Sequence, residues 1–121
     1  MPSEHWKDQP EDQDFPAARS YLSLLMEPAA AGKLVDALQQ TDQLDHYQAK
    51  DILRASHLDL LPTDNKHVAS DLEKVREGKL LSPVLLVRGD PLLVADGYHR
   101  VCASYHLDEN ADIPCRIVSR K

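Results

Sequence analysis

The sequence predicts a small α+β domain built on a mixed sheet, and three observations support this. Residues 82–88 (SPVLLVR) are β-rich and almost continuously apolar, as expected of a strand covered on both faces. Gly89-Asp90-Pro91 is a turn, and residues 92–95 (LLVA) supply the partner strand of an antiparallel hairpin. Apolar residues at helical spacing lie on both sides of this hairpin. With 121 residues, a single domain is the default. A chain of this size buries about two thirds of its unfolded surface.

The remaining elements follow in chain order. Residues 1–14 are acidic and polar with two prolines, too poor in apolar surface to order themselves, and are predicted to be a flexible tail. Trp6 is the one anchor there. Two helices cover residues 14–40. Pro16 fits the first turn of one, with Ala17, Tyr21, Leu24 and Leu25 near helical spacing, and Pro28 opens the other, with Ala31, Leu34 and Leu38 on its stripe. A third helix is expected over 47–55, burying Ile52 and Leu53. The region 15–54 is thus expected to be helical and to pack on a core domain of residues 55–121, or to supply the contact of a homodimer. In that domain a strand over 57–61 ends at Pro62, and Thr63 or Asp64 caps the next helix. Val68, Leu72 and Val75 recur along that helix, and Gly78 ends it. A helix over 98–107 follows the hairpin. A strand over 113–118 closes the chain, and Pro114 near its start places it near a sheet edge.

Composition narrows the function classes. The net charge is −6, which argues against a general nucleic-acid binder because such a protein needs a basic face to displace counterions. No apolar run approaches the length of a membrane span, and the N-terminus lacks the basic-then-apolar order of a secretory signal. Two cysteines, Cys102 and Cys115, do not form a disulfide framework, so a reducing cytoplasm is the simplest location.

The most informative stretch is residues 92–107 (LLVADGYHRVCASYHL). A short buried strand turns at Asp96-Gly97 straight into a helix with His99 and Arg100 in its first turn. The first N–H groups of a helix have no partner within it, and the helix dipole adds positive potential. This is a ready place for phosphate. Gly97 lets the backbone turn and an anion approach, Arg100 offers a planar cationic fork and His99 a second donor. Asp96 is suited to orienting Arg100 or His99, or to placing Mg²⁺ on a bound nucleotide. The start of the preceding helix adds the donors Asn65, Lys66 and His67, the weaker members of the set.

Asp96-Gly97-Tyr98-His99-Arg100 followed by Cys102-Ala103 resembles the second signature of the ParB/sulfiredoxin-like superfamily, a G-x-x-R core at a helix start. ParB proteins have a Gly-Glu-Arg-Arg version, sulfiredoxins Gly-Cys-His-Arg, and the free serine kinases Asp-Gly-His-His-Arg. Residues 58–65 (LDLLPTDN) resemble the family's first strand and its proline-containing turn. Residues 64–79 resemble the helix after it, 81–93 the hairpin and 112–118 the closing strand. The resemblance covers roughly residues 55–118 and implies a nucleotide or phosphorylated small molecule held by Asp96, Gly97, Tyr98, His99 and Arg100, with the helix of Asn65, Lys66 and His67 alongside.

Departures from the family's motifs restrict what carries over. Sulfinic acid reduction needs a cysteine inside the turn, where this chain has Tyr98; Cys102 lies one helical turn further on. Only the last arginine of the ParB signature, Arg100, is kept, and the residues after Val118 leave no room for a DNA-reading domain, so direct DNA binding and a partition role are not expected. Phosphotransfer like that of the free serine kinases needs a carboxylate base; Asp59 and Asp64 are the nearest acids to the relevant strand and turn, and neither is a firm match. A nuclease reading lacks a paired-acid metal site. His99, Cys102 and His106 share a helical face at ligand-like spacing, but Cys102 reads as a core position and no recognised metal motif supports the trio. Cys115 reads as inert. Two classes remain: a nucleotide-binding protein, with or without hydrolysis or transfer, and a non-catalytic accessory protein that keeps the fold.

Overall fold

The computed structural model describes residues 5–120. Five helices surround a four-stranded mixed sheet: α1 (Asp14–Leu25), α2 (Pro28–Gln40), β1 (Asp45–Gln48), α3 (Ala49–Ser56), α4 (Lys66–Arg76), β2 (Val84–Arg88), β3 (Leu93–Asp96), α5 (Tyr98–Leu107) and β4 (Asp112–Ser119). The strand order is β1-β4-β2-β3. β1 runs antiparallel to β4, β4 parallel to β2, and β2 antiparallel to β3. The expected α+β class is what the chain forms. Among the described residues, no helix is long and apolar enough to cross a membrane.

Both faces of the sheet are covered, and β2 shows it residue by residue. Val84 and Leu86 point to one side, into a core with Ile52 of α3, Val68 of α4, and Val101 and Cys102 of α5. Leu85 and Val87 point to the other side, into a core with Phe15, Ala18 and Leu22 of α1 and Val35 and Leu38 of α2. This period-2 division of an unbroken apolar run explains why residues 84–87 carry no polar side chain. Arg116 of β4 ties the second layer to the sheet. Its Nη1 donates to the carbonyls of Leu38 and Gln39 at 3.0 and 3.1 Å, at the C-terminal end of α2, and its guanidinium lies 5.9 Å from the Phe15 ring centre.

Several elements differ from the sequence reading. Residues 45–48 form a strand, so the third helix starts at Ala49 and not at residue 47. Tyr47 pairs with Ile113, which gives the region expected to be wholly helical a place in the sheet. Residues 57–61 are not a strand. His57 takes a left-handed conformation (φ 60°) at the end of α3, and the carbonyls of Asp59 and Leu61 accept from the side chains of Tyr98 and His106 instead of from a neighbouring strand. The cap of α4 is Asn65 and not Thr63 or Asp64; its Oδ1 accepts from the N–H groups of His67 and Val68. Gly78, at φ +82°, ends α4 as expected, with Gly78 N–H donating to Val75 and Lys79 N–H to Lys74. β4 is an inner strand, not one near the edge. Pro114 is accommodated because the β2 ladder begins one residue later, at Cys115. Of the acidic segment, residues 1–4 lie outside the described residues. From His5 onward it is docked: Trp6 is buried, and the backbone of His5 and Lys7 bonds that of Leu81 on both sides. Burying one indole supplies the apolar area that the composition lacks.

Candidate functional site

The site is built where β3 hands the chain to α5. The β2–β3 register shifts between Leu85 and Leu86, leaving one extra residue on β3 just before the turn. Gly97 then takes φ +110°, and a Cβ there would come within 2.9 Å of Val84. Both the left-handed backbone and the close approach to β2 therefore require glycine. Helix α5 starts at Tyr98 with no side-chain cap, and its first backbone bond is Val101 N–H to Gly97. The N–H groups of residues 98–100 thus precede the first intrahelical bond.

Helices α4 and α5 pack side by side, and between them lies a polar cleft of about 220 Å³. It is lined by His67, Ser70, Asp71 and Lys74 of α4 and by Asp96, Gly97, His99 and Arg100. The His67 and His99 rings lie 4.6 Å apart, tilted by 43°. Arg100 turns inward. Its Nη2 donates to Asp96 Oδ2 at 3.1 Å and to the Pro83 carbonyl at 3.2 Å, and its Nε is buried without a partner. Lys74 Nζ lies 3.8 Å from Asp71 Oδ1.

Titration in the cleft is governed by burial. The Asp96 carboxyl is pushed up to about 6 by burial, helped by the carboxyl of Asp14 beside it and opposed by Arg100. Asp14, at the start of α1, is itself buried and accepts the Glu11 N–H. Burial also raises Asp71 against the pull of Lys74, Arg100 and the two imidazoles. His99 is lowered, by burial first and by its neighbour His67 second. At neutral pH the charges of Lys74 and Arg100 are offset by those of Asp71 and Asp96. Net attraction for an anion then comes from the start of α5 and from imidazole donors.

The structure brings together Asp96, Gly97, His99, Arg100 and His67 of the sequence-derived set. It does not bring in the other three. Tyr98 turns away, its hydroxyl donating to the Asp59 carbonyl at 2.5 Å. Asn65 spends its side chain on capping α4. Lys66 is not among the lining residues. Nor do Asp59 and Asp64 line the cleft. Three residues that do were missed: Ser70, Asp71 and Lys74. They follow His67 at i+3, i+4 and i+7, so the helical stripe was a signal available in the sequence. Asp14 is brought in by tertiary structure alone.

His99, Cys102 and His106 do not converge. Cys102 is fully buried with its thiol raised by burial, and His106 Nε2 lies 2.7 Å from the Leu61 carbonyl. Among the described residues, no group of three or more His, Cys, Asp or Glu side chains is arranged to hold a metal ion. Burial pushes the Cys115 thiol up to about 12, well outside the reactive range. Compared with known proteins, the chain matches no family model, no curated protein and no solved structure.

Proposed function

We propose that the cleft between α4 and α5 binds a nucleotide or another phosphorylated small molecule. The observation that carries this reading is the uncapped first turn of α5 behind Gly97, opening on a cleft whose lining is almost wholly polar. Phosphate oxygens would take the N–H groups at the start of α5. His99, His67 and Lys74 supply donors from the two walls. Arg100 works from beneath, holding Asp96 and the turn in place and adding positive potential. The resemblance to the ParB/sulfiredoxin-like signature supports the same assignment.

For hydrolysis or transfer, Asp71 and Asp96 are the carboxylates placed to take a proton from water or a hydroxyl, since burial keeps both above the ordinary carboxylate range. One observation favours a second reading, the accessory protein without catalysis. Arg100 Nη2 is already committed to two internal acceptors, as a retained structural arginine would be.

The test is thermal melting with CTP, ATP, ADP and GTP, each with Mg²⁺, on the wild type and on a His67→Ala/Lys74→Ala double variant. These two side chains reach the cleft without holding the fold. A ligand that binds only the folded state raises Tm. The expected result is a rise with one nucleotide that shrinks in the double variant. No rise with any nucleotide, on folded protein, removes the reading. Arg100→Ala alone is a poor probe because it also unseats Asp96. Product analysis with the stabilising nucleotide then separates enzyme from accessory protein.

A further inference from the structure

A second recess lies at the other end of β2 and shares no residue with the polar cleft. Its volume is about 330 Å³, near the lower end for small-molecule sites and enough for about ten waters at ~30 Å³ each. Leu86 and Ile117, register partners on the parallel strands β2 and β4, form the floor, and Ile52 and Leu92 form walls. The recess exists because α3 is only eight residues long and because two flanking positions, Ala55 and Gly89, are small. It opens at the carboxyl ends of a parallel strand pair, where open sheets with helices on their faces commonly receive ligands.

One cation completes it. Arg88 follows Leu86 by two positions, so it stands on the same face of the sheet and lines the recess, while its side chain remains exposed. Among the described residues it has no ion-pair partner. The one acid among the lining residues, Asp51, is paired with Arg54 at 3.1 Å, which offsets its charge. An apolar floor with one unpaired guanidinium at the mouth is complementary to an anion with an apolar body. A guanidinium fork matches a carboxylate in particular.

We propose that this recess binds a small hydrophobic monocarboxylate, its apolar body on Leu86, Ile117 and Ile52 and its carboxylate on Arg88. Phosphate esters fit less well here, because Arg88 is the one cation among the lining residues and the Tyr47 hydroxyl the one further side-chain donor. The two recesses therefore sort ligands by chemistry: polar and phosphorylated at the start of β2, apolar and singly charged at its end.

The test is methyl and backbone NMR titration of the whole chain with phenylacetate, its neutral amide phenylacetamide, and phenethylamine. Phenylacetate is expected to shift the methyls of Ile52, Leu86 and Ile117. Arg88→Gln is expected to weaken it at least about tenfold, the loss of one charge-assisted contact. Ala55→Phe, which fills the recess from an exposed helix position, is expected to abolish the shifts with the fold intact. Failure of phenylacetate to move these methyls overturns the proposal. So does equal binding of acid and amide, preference for the amine, or indifference to Arg88→Gln. None of these outcomes depends on the nucleotide reading, which is tested on other residues.

Discussion

An arginine stands at each end of β2, Arg100 of α5 at the start and Arg88 of the strand itself at the finish, and the two are held in opposite ways. At the amino end Arg100 is folded under the turn, its side chain 16% exposed beside an Asp96 that is 18% exposed, with a second acid, Asp14, behind. At the carboxyl end Arg88 stands exposed over an apolar floor without an ion-pair partner among the described residues. Residue type alone would assign both to anion binding. Their surroundings differ: Arg100 is first a structural cation, and Arg88 has no ion-pair partner among the described residues, which is why the proposed carboxylate is assigned to it. A binding role at the amino end then rests more on helix geometry, His67, His99 and Lys74 than on the arginine that drew attention to the motif.

The largest expected effect of this division is on stability. Arg100→Met should cost about 3 kcal/mol, because it leaves Asp96 beside Asp14 without a cation and removes the donor to the Pro83 carbonyl. Arg88→Met should cost under about 0.5 kcal/mol. Urea unfolding of both variants checks this; equal costs would mean that Arg100 is as solvated as Arg88.

A pH effect of similar size belongs to the amino end alone. Asp96 titrates near 6 in the folded chain and near 3.9 when unfolded, so the folded state keeps its proton longer. The resulting stabilisation is complete below about pH 4 and is lost as pH rises through about 6, roughly 2–3 kcal/mol. Asp96→Asn should remove that slope, measured as the difference in unfolding free energy between the two proteins across this range. A constant difference would place the carboxyl in water.

The glycines at the two ends should differ next. Gly97→Ala meets both a φ of +110° and Val84, and should cost about 2 kcal/mol. The atoms nearest a Cβ at Gly89 belong to the guanidinium of exposed Arg120, which can swing aside, so Gly89→Ala should stay within about 0.5 kcal/mol. Asn65→Ala falls between the two glycines, expected at about 1 kcal/mol through the lost cap of α4 and not through any ligand. If that variant lowered nucleotide affinity at unchanged stability, Asn65 would belong to the site after all.

Local signals were legible where one interaction dominates. Pro28 opens α2, Gly78 ends α4, Gly97 turns β3 into α5, and residues 84–87 form a strand apolar on both faces, because each depends on backbone sterics or on a period that neighbours cannot change. The strand at residues 45–48 was not legible. Asp45, His46, Tyr47 and Gln48 carry no strong β pattern, and they pair because β4 offers an open edge. The reverse holds for residues 57–61, apolar enough for a strand but satisfied by Tyr98 and His106 side chains. By itself the sequence determined the class of fold and the Gly97 turn, and it held an unread signal in the spacing of His67, Ser70, Asp71 and Lys74 on α4. Only the tertiary structure decided that Asp14 would sit against Asp96, that Arg100 would turn inward while Arg88 stayed out, and that Trp6 would dock. Those outcomes depend on desolvation and on partners distant in the chain, and neither has a local signature.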